Sequence, residues 1–260
     1  MRIILLCISL LLSPLLHSQK LDAWHTRDAE EDPEAYIAKA AQQVAGTPAE
    51  AAGKFYVLGR CYSHLNKEDI ALKYFLLAKS SFEKIKLLEP AKDLALEIHT
   101  IISSQENYDK YGNSFLDEYY AYAKKTGSKE RLAHSWNEFA KMSFSEFDFE
   151  TRANPEVIDS AYVRFQKGLY YANQTDEAAI KATLYSNLST LENTRRNFTL
   201  AREYLDRARE FLRETNDEYD LLINYYTYGN SYFLQENYPK AINWFKKAEQ
   251  IKVPRYKAKT

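Results

Sequence analysis

Apolar and small residues recur along this chain at helical spacing, in paired segments. Near the C-terminal end, Tyr225, Tyr228, Gly229 and Tyr232 share one helical face, and Ala241, Phe245 and Ala248 share another. The same signature stands near the N-terminal end as Phe55, Leu58, Gly59 and Tyr62, followed by Ala71, Phe75 and Ala78. It returns as Tyr185, Leu188 and Ser189, followed by Ala201, Leu205 and Ala208. In all three copies the small residue of the first segment precedes the first alanine of the second by 12 positions. Two weaker copies fill the middle: Ile98-His99 with Asn107, Tyr108, Tyr111 and Phe115, then Trp136, Phe139 and Ala140 with Ala161, Phe165 and Gly168. Taking Gly59, His99, Ala140, Ser189 and Gly229 as equivalent gives steps of 40, 41, 49 and 40 residues. The pattern predicts an all-α chain of about five helix pairs, each with an apolar face that only the next pair can bury.

Local signals place the helix starts. Thr47-Pro48-Ala49-Glu50 reads as a capping box opening the first pair. Asp32-Pro33 marks an earlier start and predicts a lone helix from Pro33 to Val44, covering the open N-terminal end. Asn154-Pro155-Glu156 reads as an N-cap with proline in the first helical position. The long step of 49 residues puts about nine extra positions into Ser143 to Asn154, where Phe144, Phe147 and Phe149 alternate with Glu146, Asp148 and Glu150. A protruding loop or an extended helix end is expected there.

The repeated residues resemble the tetratricopeptide repeat, and the likeness extends to Asn197-Phe198 and Asn237-Tyr238 in the turns between paired helices. The resemblance implies a right-handed α-solenoid whose first helices line a concave groove. The step of about 40, against a common unit of about 34, implies longer second helices. If the core stripe of each first helix holds the small residue and its neighbours at −4, −1 and +3, then −6, −3, +1 and +4 form a second stripe of the same period. That rule selects Tyr56 and Arg60 in the first copy, Asn137 and Lys141 in the third, Asn193 with Thr190 in the fourth, and Tyr226, Asn230 and Phe233 in the last. Only Arg60, Asp93 and Lys141 are charged among the residues so chosen. Asparagine both donates and accepts, so Asn137, Asn193 and Asn230 suit the backbone of an extended peptide, while Tyr56, Tyr226 and Phe233 suit its side chains. The resembling family's capture of acidic C-termini uses lysine and asparagine in the first repeat, where this chain has Tyr56 and Arg60.

Composition narrows the classes. The 260 residues are 45% hydrophobic and 27% charged, with 35 basic against 36 acidic side chains. This is globular composition without the basic excess that nucleic-acid binding requires. Seven glycines and seven prolines are too few for many short strands. Arg2 precedes an apolar run from Ile3 to Leu16, which reads as a secretory signal peptide cut near Ser18 and predicts an exported, periplasmic or extracellular protein. Beyond it only Cys61 remains, and one thiol reads as a small buried hydrophobe. The expected organisation is a signal peptide over 1–18, an N-terminal segment with capping helix over 19–50, the repeat array over 51–255 and a basic tail over 256–260.

No short motif of nucleotide, metalloprotease or serine-hydrolase chemistry is present, so no catalytic residue, metal site or cofactor is expected. His64, His99 and His134 are spaced by 35 but fall at different phases of their repeats, which argues against a shared metal. Most of the 21 tyrosines fall at or beside packing positions. The expected function is a non-enzymatic scaffold that binds a protein or extended peptide. The alternative is the sensing half of a bacterial membrane-linked regulator, a transcription factor or histidine kinase, which would meet a membrane only through a partner or a further C-terminal region.

Overall fold

A computed structural model of the chain describes residue 29 and residues 32–104, 110–150, 154–215 and 218–251. The signal segment and the basic tail lie outside the described residues, as does nearly all of 19–31. The described residues form eleven helices and no strand. They are α1 (Pro33–Gln42), α2 (Pro48–His64), α3 (Glu68–Lys84), α4 (Leu88–Ser103), α5 (Lys110–Thr126), α6 (Lys129–Ser145), α7 (Glu156–Ala172), α8 (Ala178–Thr194), α9 (Phe198–Thr215), α10 (Glu218–Phe233) and α11 (Tyr238–Glu249). The all-α architecture of helix pairs read from the sequence is therefore present: α2 with α3, α6 with α7, α8 with α9 and α10 with α11 pack closely.

The chain divides after Tyr122 into two compact units. In the first, α1 lies on α2, and α3 continues onto α4. Its core gathers Ala52, Val57 and Cys61 from α2, Ala71, Phe75, Ala78 and Phe82 from α3, and Leu94 and Ile98 from α4. Cys61 is fully buried and its Sγ donates to Ala29 O at 3.7 Å; burial pushes its pKa up to about 11, so it behaves as the expected small hydrophobe. His99 is spent within this unit, its Nδ1 lying 3.0 Å from Gly112 O. Lys79 and Lys92 both reach Glu118, at 2.9 and 2.5 Å, which ties α3 and α4 to α5. In the second unit, α7 packs on α8 and α9 on α10, and the first helices α6, α8 and α10 also touch in sequence.

The pairs close because one helix surface is notched. A Cβ on Gly59 would stand 2.5 Å from Phe75 Cδ1, and a Cβ on Gly229 would overlap the Phe245 ring. In the copy that has Ser189, the register puts Leu205 where the other two have phenylalanine, and both residues are fully buried. The extra hydroxymethyl group on one helix is thus matched by a smaller side chain on the other. Beside each notch runs a periodic aromatic pair: Phe55 with Tyr74, Tyr185 with Tyr204, and Tyr225 with Trp244, at centroid distances of 6.3, 6.0 and 5.6 Å.

Helix ends repeat as faithfully as helix faces. Asn66, Arg196 and Glu236 occupy equivalent positions and all adopt left-handed backbone, with φ of 53°, 63° and 59°. In each, the following amide reaches back five residues: Lys67 N to Tyr62 O, Asn197 N to Glu192 O and Asn237 N to Tyr232 O, at 2.8 to 3.0 Å. This is the Schellman closure, made here without glycine.

Three expectations are corrected. Helix α1 stops at Gln42, two residues short of Val44. The 40-residue step is not spent on the second helices, since α2 and α3 both hold 17 residues and α8 and α9 hold 17 and 18. Asn154 does not cap α7: Pro155 takes the N-cap position, while Asn154 Oδ1 accepts from Asp148 N at 3.0 Å and its Nδ2 donates to Glu146 O at 2.5 Å. The Thr47–Glu50 capping box forms as read.

Gly59→Ala is expected to lower the unfolding midpoint even though alanine is the better helix former. Overpacking of about 1–3 kcal/mol outweighs a propensity gain of about 1 kcal/mol. Adding Phe75→Leu, which reproduces the Ser189 and Leu205 arrangement, is expected to recover part of the loss in thermal denaturation.

Candidate functional site

The second unit presents a hollow of about 430 Å³ where the C-terminal ends of α8 and α10 meet the start of α9. Thr190, Asn193 and Thr194 come from α8, Thr227, Asn230 and Phe233 from α10, and Phe198 from the first turn of α9. Arg196 and Leu234 supply the rim at the two helix ends. Phe149 completes it from the connection between α6 and α7.

That connection is the insertion anticipated from the long repeat step, and its described residues 146–150 and 154–155 lie outside the helices. Phe147 is buried, and Phe149 meets it edge-on with ring centroids 4.9 Å apart; Phe144 approaches Phe149 at 5.6 Å. The two hydrogen bonds of Asn154 cross-brace the backbone behind these rings. Phe149 is consequently held in place while 59% of its surface faces outward.

Among the residues singled out from the sequence, Asn193 and Asn230 come together on the hollow, with Thr190 and Phe233 of the same stripe. Asn193 is only 7% exposed, and its side-chain Oδ1 is buried without a hydrogen-bond donor among the described residues. A buried acceptor left in this state costs about 1–3 kcal/mol. Tyr226 lies one turn before Asn230, half exposed, with its ring 5.2 Å from that of Phe245.

The remaining candidates are placed elsewhere. Tyr56 is a core side chain of the first unit, 3% exposed and packed 6.2 Å from the Phe75 ring. Arg60, in the same unit, pairs with Glu97 at 3.5 Å. Asn137 is 4% exposed and committed within the protein: it accepts from Asn187 Nδ2 at 2.8 Å and donates to Glu138 Oε1 at 3.0 Å. This bridge joins α6 to α8. Lys141 is exposed and pairs with Glu138 at 2.8 Å.

Thr194, Arg196, Thr227, Phe198 and Leu234 were outside the stripe rule. Thr227 is inside α10 between stripe positions, and the others belong to helix ends, where the chain leaves the helical period on which that rule depends. Their signal lay in the recurrent left-handed closure at Asn66, Arg196 and Glu236, which repeats at the same register as the small residues.

Residues 181–252, which include α9, α10, α11 and most of α8, match the family profile described as tetratricopeptide repeat. Residues 181–252 carry tetratricopeptide repeats. The hollow lies inside this matched segment except for Phe149. Among solved structures, the chain is similar to the crystal structure of BtubC (BKLC) from P. vanneervenii, at 15% identity over 88% of this chain and 78% of that one, with a TM-score of 0.34. No match is found among curated proteins.

A titratable contact with a raised imidazole pKa lies one repeat before the hollow. His134 Nε2 on α6 stands 3.2 Å from Glu177 Oε1, just before α8. Burial pulls the imidazole pKa down, but the Glu177 hydrogen bond and charge, with Glu130 and Glu138 beyond, outweigh it and hold the value above the ordinary one. A raised folded-state pKa stabilises the protein fully below the unfolded value of about 6.5, and that gain fades as pH rises through the folded value. Glu177→Gln is therefore expected to destabilise the second unit most in mildly acid solution, with the difference from wild type shrinking toward alkaline pH in paired denaturation series.

Proposed function

We propose that this chain is a non-enzymatic scaffold whose second unit holds an extended peptide segment of a partner protein against α8 and α10. The observation that carries the reading is the convergence of Asn193 and Asn230 with Phe233 on one hollow, where the Asn193 acceptor has no donor of its own. An extended peptide offers a backbone N–H and C=O at every residue, which is what asparagine side chains satisfy. Apolar Phe198, Phe233 and Leu234 beside them suit partner side chains. The matched repeat family supports the same reading, being a protein-interaction scaffold. We extend the proposal to an exported location, on the strength of Arg2 and the apolar run Ile3 to Leu16.

Two measurements test it. A displayed random-peptide library panned against the folded protein should converge on related sequences, and the double variant Asn193→Ala/Asn230→Ala should lose them by roughly tenfold or more, as for two central interface contacts. Equal retention by the folded variant, or no convergence, overturns the peptide reading. For export, N-terminal sequencing of the protein recovered outside the cytoplasm should begin near Gln19; an intact Met1 end on that fraction overturns cleavage.

A further inference from the structure

The geometry points to the hollow as a selective subsite for one aromatic side chain of the bound segment, with a carboxylate beside it. This rests on the peptide reading above and names what the peptide must carry.

The inserted loop is the first reason. Phe149, from the connection between α6 and α7, adds a third aromatic side chain to Phe198 and Phe233 in the lining of the hollow. Its ring is fixed by Phe144 and Phe147, yet it remains mostly exposed, so a facing ring finds a preorganised surface rather than a mobile one. Three aromatic walls favour an aromatic occupant through offset and edge-to-face contact. At about 430 Å³ the hollow admits such a ring together with the backbone that bears it.

Asn193 supplies the second reason. Its buried, unpartnered Oδ1 belongs to a residue lining the hollow, and the backbone N–H of the aromatic residue is the donor an extended segment carries there. The third is charge. Arg196 is the one cation among the lining residues and no acid accompanies it. Its exposed guanidinium makes no ion pair with a described residue, so an acidic neighbour of the aromatic residue would complement it.

The test uses the whole folded chain and the same displayed library. Wild-type selection should enrich an aromatic residue with an acidic residue next to it or one further along. Phe149→Ser, on an exposed loop, should weaken the enriched peptides by roughly tenfold. Arg196→Glu should shift the flanking preference from acidic to basic; glutamate is tolerated in that left-handed position, as Glu236 shows. Asn193→Leu should weaken binding to a similar degree without lowering the unfolding midpoint, because the lost acceptor has no donor to leave behind. Convergence on peptides with no aromatic preference, unchanged by Phe149→Ser, overturns the subsite and leaves the peptide groove standing. No convergence at all overturns both. An Asn193→Leu protein that unfolds earlier overturns the ligand role of Asn193.

Discussion

Contact between a notch in one helix and a ring on its partner is what the remainder of the structure depends on. Where Gly59 faces Phe75 and Gly229 faces Phe245, no Cβ fits between ring and backbone. Dispersion falls off steeply with distance, so a gap of even one methyl group would forfeit much of the contact along 16 or 17 residues of paired helix. The Ser189 and Leu205 pair reaches the same closeness by exchanging volume between helices. Close pairing brings the flanking aromatic pairs into reach and leaves each hairpin with one further apolar face. Only the next hairpin can cover that face, which is why the repeats stack within each unit.

Stacking then sets first helices side by side, and this is how packing becomes a site. On α6 the stripe residue Asn137 is consumed internally, since it accepts from Asn187 of α8. On α8 and α10 the equivalent stripe opens onto a hollow, and Asn193 keeps an unanswered acceptor. The difference arises at the helix ends. The left-handed residue at Arg196 turns the chain sharply into α9, carrying Phe198 to the edge, and the α6 to α7 connection brings Phe149 to the same hollow.

The arrangement favours recognition through shape and hydrogen bonding over long-range attraction. The chain has 35 basic and 36 acidic side chains, and several charges in the repeats are paired locally, as with Glu192 and Arg195 at 2.8 Å or Lys141 and Glu138 at the same distance. In both the carboxylate is buried and its cation is more exposed, and the pairing removes charge from the face left to a partner. Arg196, outside these pairs, therefore weighs more in selectivity than its single charge suggests.

Helix number, pairing, the notched positions and the place of the insertion were all legible in the residues, because helical packing is periodic and each requirement recurs at a fixed register. Gly59, Gly229, Phe75 and Phe245 announce their roles by spacing alone. The stripe rule reached Asn193 and Asn230 for the same reason. Tyr56 and Asn137 obey that rule equally well, yet one is packed into a core and the other bonded across to Asn187. Periodicity assigns a residue to a face of its own helix; what covers that face is decided by neighbours far along the chain. The left-handed closure at Arg196, the cross-bracing by Asn154 and the gathering of Phe149, Phe198 and Phe233 around one hollow depend on where non-helical backbone goes, and that is settled only when the helices have packed.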